Sequence, residues 1–234
     1  MRAPEALIRA IPAGSVVSIS GAGGKTTLLF ELGHALPGPC VTTTTTKVGT
    51  DQISAADARY SLDEWLRHAG EDKCAWVAKV FPQEGRKQSG FDTVEDLDEL
   101  IHACRARGVT LLYEADGAAR RHIKAPAAHE PVISPLTDVC VYVIGLDTLG
   151  EPVSEEYVHR PELFTAVTGR ALGEAIQPQD LIALAVHPNG GLKNVPDSAE
   201  RILYLTHGDN PECLAAAKTI AEAVLPYNIR TFIS

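Results

Sequence analysis

A short glycine-rich loop near the start of the chain constrains its fold more than any other feature. Its residues are Gly21, Ala22, Gly23, Gly24, Lys25, Thr26 and Thr27. An apolar, β-branched run at 16–20 precedes the loop, and a helical pattern at 28–36 follows it. Glycines let a backbone curl around an anion with its N–H groups turned inward. The order of strand, glycine loop, Lys-Thr and helix therefore predicts a phosphate-binding loop.

Two side chains of this loop have the chemistry that a bound nucleoside triphosphate requires. Lys25 supplies a point charge for the outer phosphates, and the Thr26 hydroxyl is placed to ligate Mg²⁺. The spacing, G-x-x-G-K-T-T, is shorter than the usual one, which would put a glycine where Ile19 stands. It resembles the loop of Mur ligases and folylpolyglutamate synthetases. The alternative is a glycine-rich turn with a chance Lys-Thr pair.

Alternating strand and helix patterns predict the fold class. Apolar, β-branched runs occur at 15–20, 40–46, 74–80, 109–115, 138–145, 201–206 and 229–233. Between two of them, Leu97, Leu100, Ile101 and Cys104 form one helical stripe, with a capping box at 92–95 and a stop at Gly108. Asn210-Pro211 predicts the start of a helix that ends near Val224. We expect a three-layer α/β P-loop fold with a mostly parallel sheet, in a single domain over residues 1–234.

Charge and hydropathy exclude several classes of protein. The net charge of −9 argues against nucleic acid as a main partner. No apolar stretch approaches the roughly 20 residues that span a bilayer, and the N-terminus lacks the features of a signal peptide. The five cysteines are widely spaced without a C-x-x-C pair, which favours buried thiols in a reducing compartment. The chain is therefore expected to be cytoplasmic and without a membrane partner.

The loops that follow the strands carry the other candidate site residues, because ligands bind at the carboxyl ends of parallel strands. Thr46 and Lys47 end the second strand, either beside the γ-phosphate and Mg²⁺ or as an ordinary polar strand end, with 47–60 expected to be a mobile loop. Glu114 and Asp116 follow a buried strand, as the metal-binding acids of P-loop proteins do. The alternative for them is a surface Asp-Gly turn.

Further along the chain, four more positions are candidates. Arg120 lies in a basic segment and is assigned to stabilising the transferring phosphate, with a solvated loop as the alternative. His122 and His129 are potential metal ligands, but neither has a matching Cys or His partner at short spacing. Asp209 stands where guanine-reading P-loop proteins carry a base-binding carboxylate, or else it helps to cap the next helix. Thr206 and His207 replace the residues expected of a guanine reader, so we expect weak base selectivity or a preference for adenine.

Five segments together resemble one family across nearly the whole chain. They are SGAGGKTT (20–27), VTTTTTK (41–47), YEADGAARRHIKAPAAHEPVI (113–133), VIGLDTLGEPVSEEYVHRPE (143–162) and HPNGGLKNVP (187–196). They are similar to the selenium-dependent hydroxylase accessory proteins, the YqeC family. The resemblance implies a link to molybdenum hydroxylases that carry labile selenium, so such an enzyme or its maturation proteins are expected partners.

The residues and the resemblance together predict a nucleotide-binding protein that uses ATP or GTP with Mg²⁺. Lys25, Glu114, Asp116 and Arg120 are the expected catalytic residues, and Thr26, Glu114 and Asp116 the expected metal ligands. Hydrolysis in support of a molybdenum hydroxylase is the first expectation. Two alternatives stay open: a ligase or small-molecule kinase with a Mur-like phosphate loop, and a module that binds nucleotide without turnover.

Overall fold

The computed structural model describes residues 3–48, 52–67, 72–79, 88–91 and 93–234 of the chain. Its strands are β1 (Val16–Gly21), β2 (Cys40–Thr44), β3 (Lys47–Val48), β4 (Ala58–Ser61), β5 (Cys74–Ala78), β6 (Gln88–Ser89), β7 (Thr110–Glu114), β8 (Ile123–Lys124), β9 (Val139–Gly145), β10 (Val158–His159), β11 (Glu200–Thr206) and β12 (Ile229–Ile233). Its helices are α1 (Glu5–Ala10), α2 (Lys25–Ala35), α3 (Leu62–Arg67), α4 (Val94–Arg107), α5 (Pro161–Thr168), α6 (Pro178–Val186) and α7 (Pro211–Val224).

Eight of the strands form one sheet in the order β12-β11-β9-β1-β7-β2-β5-β4. The pairs β1–β7, β7–β2, β2–β5, β5–β4 and β11–β12 are all parallel. Strand β1 is buried along its whole length, including Ser18 and Ser20, as expected for an inner strand of a parallel sheet. The predicted three-layer α/β class with a large, mostly parallel sheet flanked by helices is confirmed.

All seven apolar runs of the sequence contain a strand of this sheet, but one strand has no such signal. Strand β4 occupies 58–61, within and just beyond the segment 47–60 that was expected to be a mobile loop. That expectation was wrong for 47–48, which form β3, and for 58–60, which belong to β4, while residues 49–51 lie outside the described part. The sequence Ala-Arg-Tyr-Ser gives no apolar run, because β4 is a short strand at the end of the sheet order and its residues are exposed or only half-buried.

Helix α4 illustrates how local signals determine an element. Its buried residues are Leu97, Leu100, Ile101 and Cys104, as the stripe predicts, and it ends at Gly108 in the left-handed conformation. The capping residue differs by one position: Thr93 is the N-cap, and its side chain accepts from the Asp96 amide. Asp92, the predicted cap, lies outside the described residues. Helix α7 begins after Asn210 and ends at Val224, as predicted.

Contacts within the chain define two compact units. Unit 1 comprises Met1–Ile19, Thr26–Asp116 and Val132–Val139, and its largest buried side chains include Trp65, Trp76 and Tyr113. Unit 2 comprises Ser20–Lys25, Gly117–Pro131 and Cys140–Ser234, with Tyr142, Phe164 and Tyr204 buried. The expected single domain over 1–234 stays a prediction.

The cysteines are all buried free thiols, as the sequence predicts. Burial raises the pKa of Cys74 and that of Cys104 to about 12, so both stay protonated and unreactive at neutral pH. Within the ranges that the structure describes, no helix combines the length and apolar character that crossing a membrane requires.

The stripe of α4 leads to a stability prediction. Leu100 is fully buried, so Leu100→Ala should lower the free energy of unfolding by about 2–5 kcal/mol, through lost burial and a residual cavity. Urea denaturation followed by circular dichroism measures the change. Glu99→Ala, at an exposed position of the same helix, is the matched control and should change it by less than about 0.5 kcal/mol. Equal losses in the two variants would contradict the assigned core face.

Candidate functional site

Three glycines of the loop, Gly21, Gly23 and Gly24, have positive φ angles, and at two of them a side chain would also overlap neighbouring backbone atoms. Gly21 and Gly23 have φ angles of 92° and 91°. A Cβ on Gly21 would lie 2.2 Å from the Val143 carbonyl oxygen, and one on Gly23 would lie 2.7 Å from the Gly145 amide nitrogen. Because both contacts are with backbone atoms of β9, no rotamer change can relieve them. These glycines are therefore required by the close approach of two backbones.

Three hydrogen bonds hold the loop in place within unit 2. The Ala22 amide donates to the Val143 carbonyl at 2.9 Å. The Thr206 hydroxyl, at the end of β11, donates to the Gly23 carbonyl at 2.7 Å. The Lys25 ammonium donates to the Gly21 carbonyl at 2.7 Å, and Lys25 is only 6% exposed. The loop is thus anchored at the carboxyl ends of β9 and β11, with a buried cation at its end.

The next loop residue begins a second constellation, within unit 1. The Thr26 hydroxyl donates to Glu114 Oε1 at 2.5 Å. Glu114 is the last residue of β7, whereas Asp116 lies beyond the strand end and is 4% exposed. A hydroxyl beside a carboxylate is the kind of oxygen donor set that suits Mg²⁺. The strand ends at Glu114 and does not continue to Asp116; the assignment of Thr26, Glu114 and Asp116 to one metal ion stays a prediction.

Thr46 and Lys47 occupy a short segment after the second strand. Strand β2 ends at Thr44, whose hydroxyl accepts from the Thr46 amide at 3.0 Å. Lys47 is exposed and begins β3, which pairs antiparallel with β6 in a separate two-stranded sheet. Their assignment to the phosphates stays a prediction.

Arg120 and Asp209 are both exposed. Arg120 has a φ of 61° in a turn, and its role on the phosphate stays a prediction. The cap of α7 is Asn210, whose side chain accepts from the Cys213 amide at 2.8 Å. Asp209 precedes the cap, and its assignment to the base stays a prediction.

A large cavity in unit 1 borders the threonines of the loop. Its volume is about 1120 Å³. The lining includes Thr26 and Thr27 together with Phe30, Glu31 and His34 of α2. Apolar and polar side chains thus share one wall, which is typical of a small-molecule site.

Sequence reasoning missed a buried ion cluster in unit 2, formed by Lys124, Glu130 and Arg160. Lys124 Nζ lies 2.9 Å from Glu130 Oε2, and its side chain is 1% exposed. Arg160 contacts both carboxylate oxygens of Glu130, at 2.5 and 3.3 Å. No local sequence pattern accounts for an arginine at position 160. The 30 residues that separate it from Glu130 explain why local patterns did not reveal the pair.

The two cations determine the ionisation of Glu130. Burial by itself would raise the pKa of this carboxyl group. Hydrogen bonds from Arg160 and Lys124, with the charge of Lys124, outweigh burial and lower the pKa to about 2. Glu130 is therefore ionised throughout the physiological range, and its charge compensates the buried ammonium of Lys124.

This pKa predicts a specific pH dependence of stability. A carboxyl group with a lowered folded-state pKa stabilises the fold above its unfolded pKa, and the stabilisation disappears as the pH falls from 4.5 toward 2. The shift corresponds to about 3 kcal/mol. At pH 7, Glu130→Gln should lower the free energy of unfolding by at least about 3 kcal/mol. The difference in this free energy between the variant and wild type should narrow steadily below pH 4.5. Urea denaturation at several pH values measures it.

The exposed Glu222 of α7 offers a matched control, because Glu222→Gln should differ little from wild type at every pH. A difference between wild type and Glu130→Gln that stays constant from pH 7 to 3 would contradict the role of Glu130.

Comparison with known proteins identifies the family. The chain matches the family described as YqeC protein over residues 17–162, a range that contains the loop, Glu114, Asp116 and the ion cluster. It is also 34% identical over 220 residues to the Escherichia coli (strain K12) protein described as "Uncharacterized protein YqeC". That alignment covers 92% of this chain and 84% of the relative. The chain therefore belongs to the YqeC family.

Proposed function

We propose that the protein binds a nucleoside triphosphate with Mg²⁺ and hydrolyses it, in support of the maturation of a molybdenum hydroxylase. The observation that carries the nucleotide part is the loop itself. Backbone contacts with β9 allow only glycine at two positions of the loop, and a buried lysine follows in the first turn of α2. Such a loop gathers backbone N–H groups and one cation for phosphate oxygens.

The Mg²⁺ ion is assigned to the oxygen atoms that follow this loop. Thr26 directly follows Lys25 in the sequence, so it adjoins the residues that we assign to phosphate binding. The contact between Thr26 and Glu114 supports a shared metal, with Asp116 as a further acid two residues on. Because Mg²⁺ keeps several waters and takes one or two carboxylates beside the phosphates, this small set is sufficient. In this proposal Arg120 neutralises charge on the transferred phosphate.

The loop assignment predicts the effect of removing its cation. Lys25→Ala should weaken binding of ATP and GTP by at least about 30-fold and leave nucleoside binding within about threefold, because the lost contact is with the outer phosphates. Isothermal titration calorimetry measures both. Lys218→Ala, at an exposed position of α7, is the matched control. Equal triphosphate affinity in wild type and Lys25→Ala would refute the phosphate-binding loop.

The metal assignment predicts a different pattern for the acids. Glu114→Gln and Asp116→Asn keep the shape of the side chain and remove its charge. Each should lower Mg²⁺-dependent phosphate release by at least about tenfold. Metal-free nucleotide binding should stay unchanged or become slightly tighter, since a carboxylate repels phosphates when no metal intervenes. Phosphate release is measured over a Mg²⁺ titration, with Glu99→Gln as the exposed control. Normal Mg²⁺ dependence in both variants would exclude them as ligands.

The link to a molybdenum hydroxylase rests on the resemblance of the five sequence segments to the accessory family. Its test is to mix the purified protein with an immature molybdenum hydroxylase and measure the gain of hydroxylase activity with and without nucleotide. A gain that requires nucleotide and is absent with Lys25→Ala supports the role. No gain under any of these conditions argues for another partner.

The cavity beside Thr26 and Thr27 favours a second candidate, a ligase or kinase that uses the same loop. A volume of about 1120 Å³ is large enough for a second small molecule. Phosphate or diphosphate release that begins only when a metabolite is added would favour this candidate over simple hydrolysis.

A further inference from the structure

We propose that His122, Asp147 and His207 form a binding site for a divalent transition metal of the Zn²⁺ class. One ligand atom from each side chain can be chosen so that all three lie within 4.8 Å of one another. The residues are separated by 25 and 60 positions in the sequence, so the fold and not local spacing brings them together. The proposal is independent of the nucleotide site.

The backbone of unit 2 builds this cluster at the ends of its strands. His122 directly precedes β8, Asp147 lies in the 3-10 turn Leu146–Thr148 after β9, and His207 directly follows β11. The Gly145 amide donates to the His122 carbonyl at 2.8 Å. A Cβ at Gly145 would lie 2.7 Å from Asp147 Oδ1 and 2.9 Å from the His122 Cβ. Glycine at this position therefore allows the two side chains to approach each other.

The three side chains already contact one another, and a shared ion would require the stacked His122 and His207 rings to turn their nitrogen atoms toward it. His122 Nδ1 lies 2.5 Å from Asp147 Oδ2. The rings of His122 and His207 stack with centroids 4.9 Å apart and planes 5° apart. A bound ion would replace the proton between His122 and Asp147. Ligands of a tetrahedral ion lie roughly 3.4 Å apart, so this pair would open by about 1 Å, which side chains with 45% and 39% exposure allow.

The donor types determine the class of metal. Two imidazoles and one carboxylate suit Zn²⁺, Co²⁺, Ni²⁺ and Fe²⁺, whereas Mg²⁺ prefers oxygen donors. Three protein ligands at a partly exposed position leave coordination sites for water or a small ligand, as catalytic metal sites do. The cluster also adjoins the glycine loop, because a Cβ on Gly23 would lie 3.0 Å from the His122 carbonyl oxygen.

Direct titration of the chelator-treated protein with Zn²⁺ tests the proposal in the absence of nucleotide. We expect one Zn²⁺ per chain. His122→Gln and His207→Asn should each weaken binding by about 100-fold, since even the loss of a group that only supports a ligand costs about 10- to 100-fold. Asparagine is chosen at 207 because that residue has a φ of 59°, which asparagine tolerates. Asp147→Asn should weaken binding by at least about tenfold.

His129→Asn is the matched control, because His129 is an exposed histidine in the same segment and should leave the affinity unchanged. Co²⁺ provides a second readout: its absorption bands should report nitrogen ligation in wild type and change in His122→Gln. Circular dichroism checks the folding of each variant. If His207→Asn does not fold, the variants His122→Gln and Asp147→Asn test the proposal, because both side chains are half-exposed.

Equal Zn²⁺ affinity in wild type, His122→Gln and Asp147→Asn would overturn the proposal, as would a stoichiometry near zero. Lys25→Ala should bind Zn²⁺ as wild type does. Loss of nucleotide binding and loss of zinc binding are therefore separable results, and failure of one proposal leaves the other standing.

Discussion

The close approach of the loop backbone to β9 is the constraint on which the rest of the site depends. At Gly21 and Gly23 any side chain would overlap backbone atoms of that strand. The contact determines the path of the loop from Gly21 to Lys25. A hydrogen bond from the Thr206 hydroxyl to the Gly23 carbonyl adds the end of β11. The shape of the loop is thus determined by packing between backbones, and this shape places the Lys25 side chain.

The chain is acidic overall, but cations are buried in its interior. The chain carries a net charge of −9, yet two of its cations, Lys25 and Lys124, are almost completely buried. Lys124 has a carboxylate partner in Glu130, and Arg160 contacts both oxygens of that carboxylate. Removing one member of such a cluster leaves an uncompensated charge, which costs more than the intact cluster contributes. The segment 117–131 thus contains two members of the ion cluster, Lys124 and Glu130, as well as His122 of the histidine cluster.

The two metal sites that we propose use separate residues with different donor atoms. The Thr26–Glu114 pair consists of oxygen donors, which suit Mg²⁺ and phosphate. The His122–Asp147–His207 cluster includes nitrogen donors, which suit transition metals. A protein with both would be able to join nucleotide turnover to the handling of a second metal or its ligand. This division follows from donor type alone.

The sequence by itself determined the fold class, the helices α4 and α7, and the glycine loop, because these depend on local periodicity, capping and contiguous residues. It also identified Glu114 and Asp116 as acids at a strand end, and the structure adds the hydrogen bond between Thr26 and Glu114. It missed β4, a four-residue strand at the end of the sheet order that is too short and too exposed to give an apolar run. Only the tertiary structure decided the partners that are distant in sequence: Glu130 with Arg160, and His122 with Asp147 and His207. The physical reason is that such contacts depend on which strand ends meet, and no local pattern of residues encodes that.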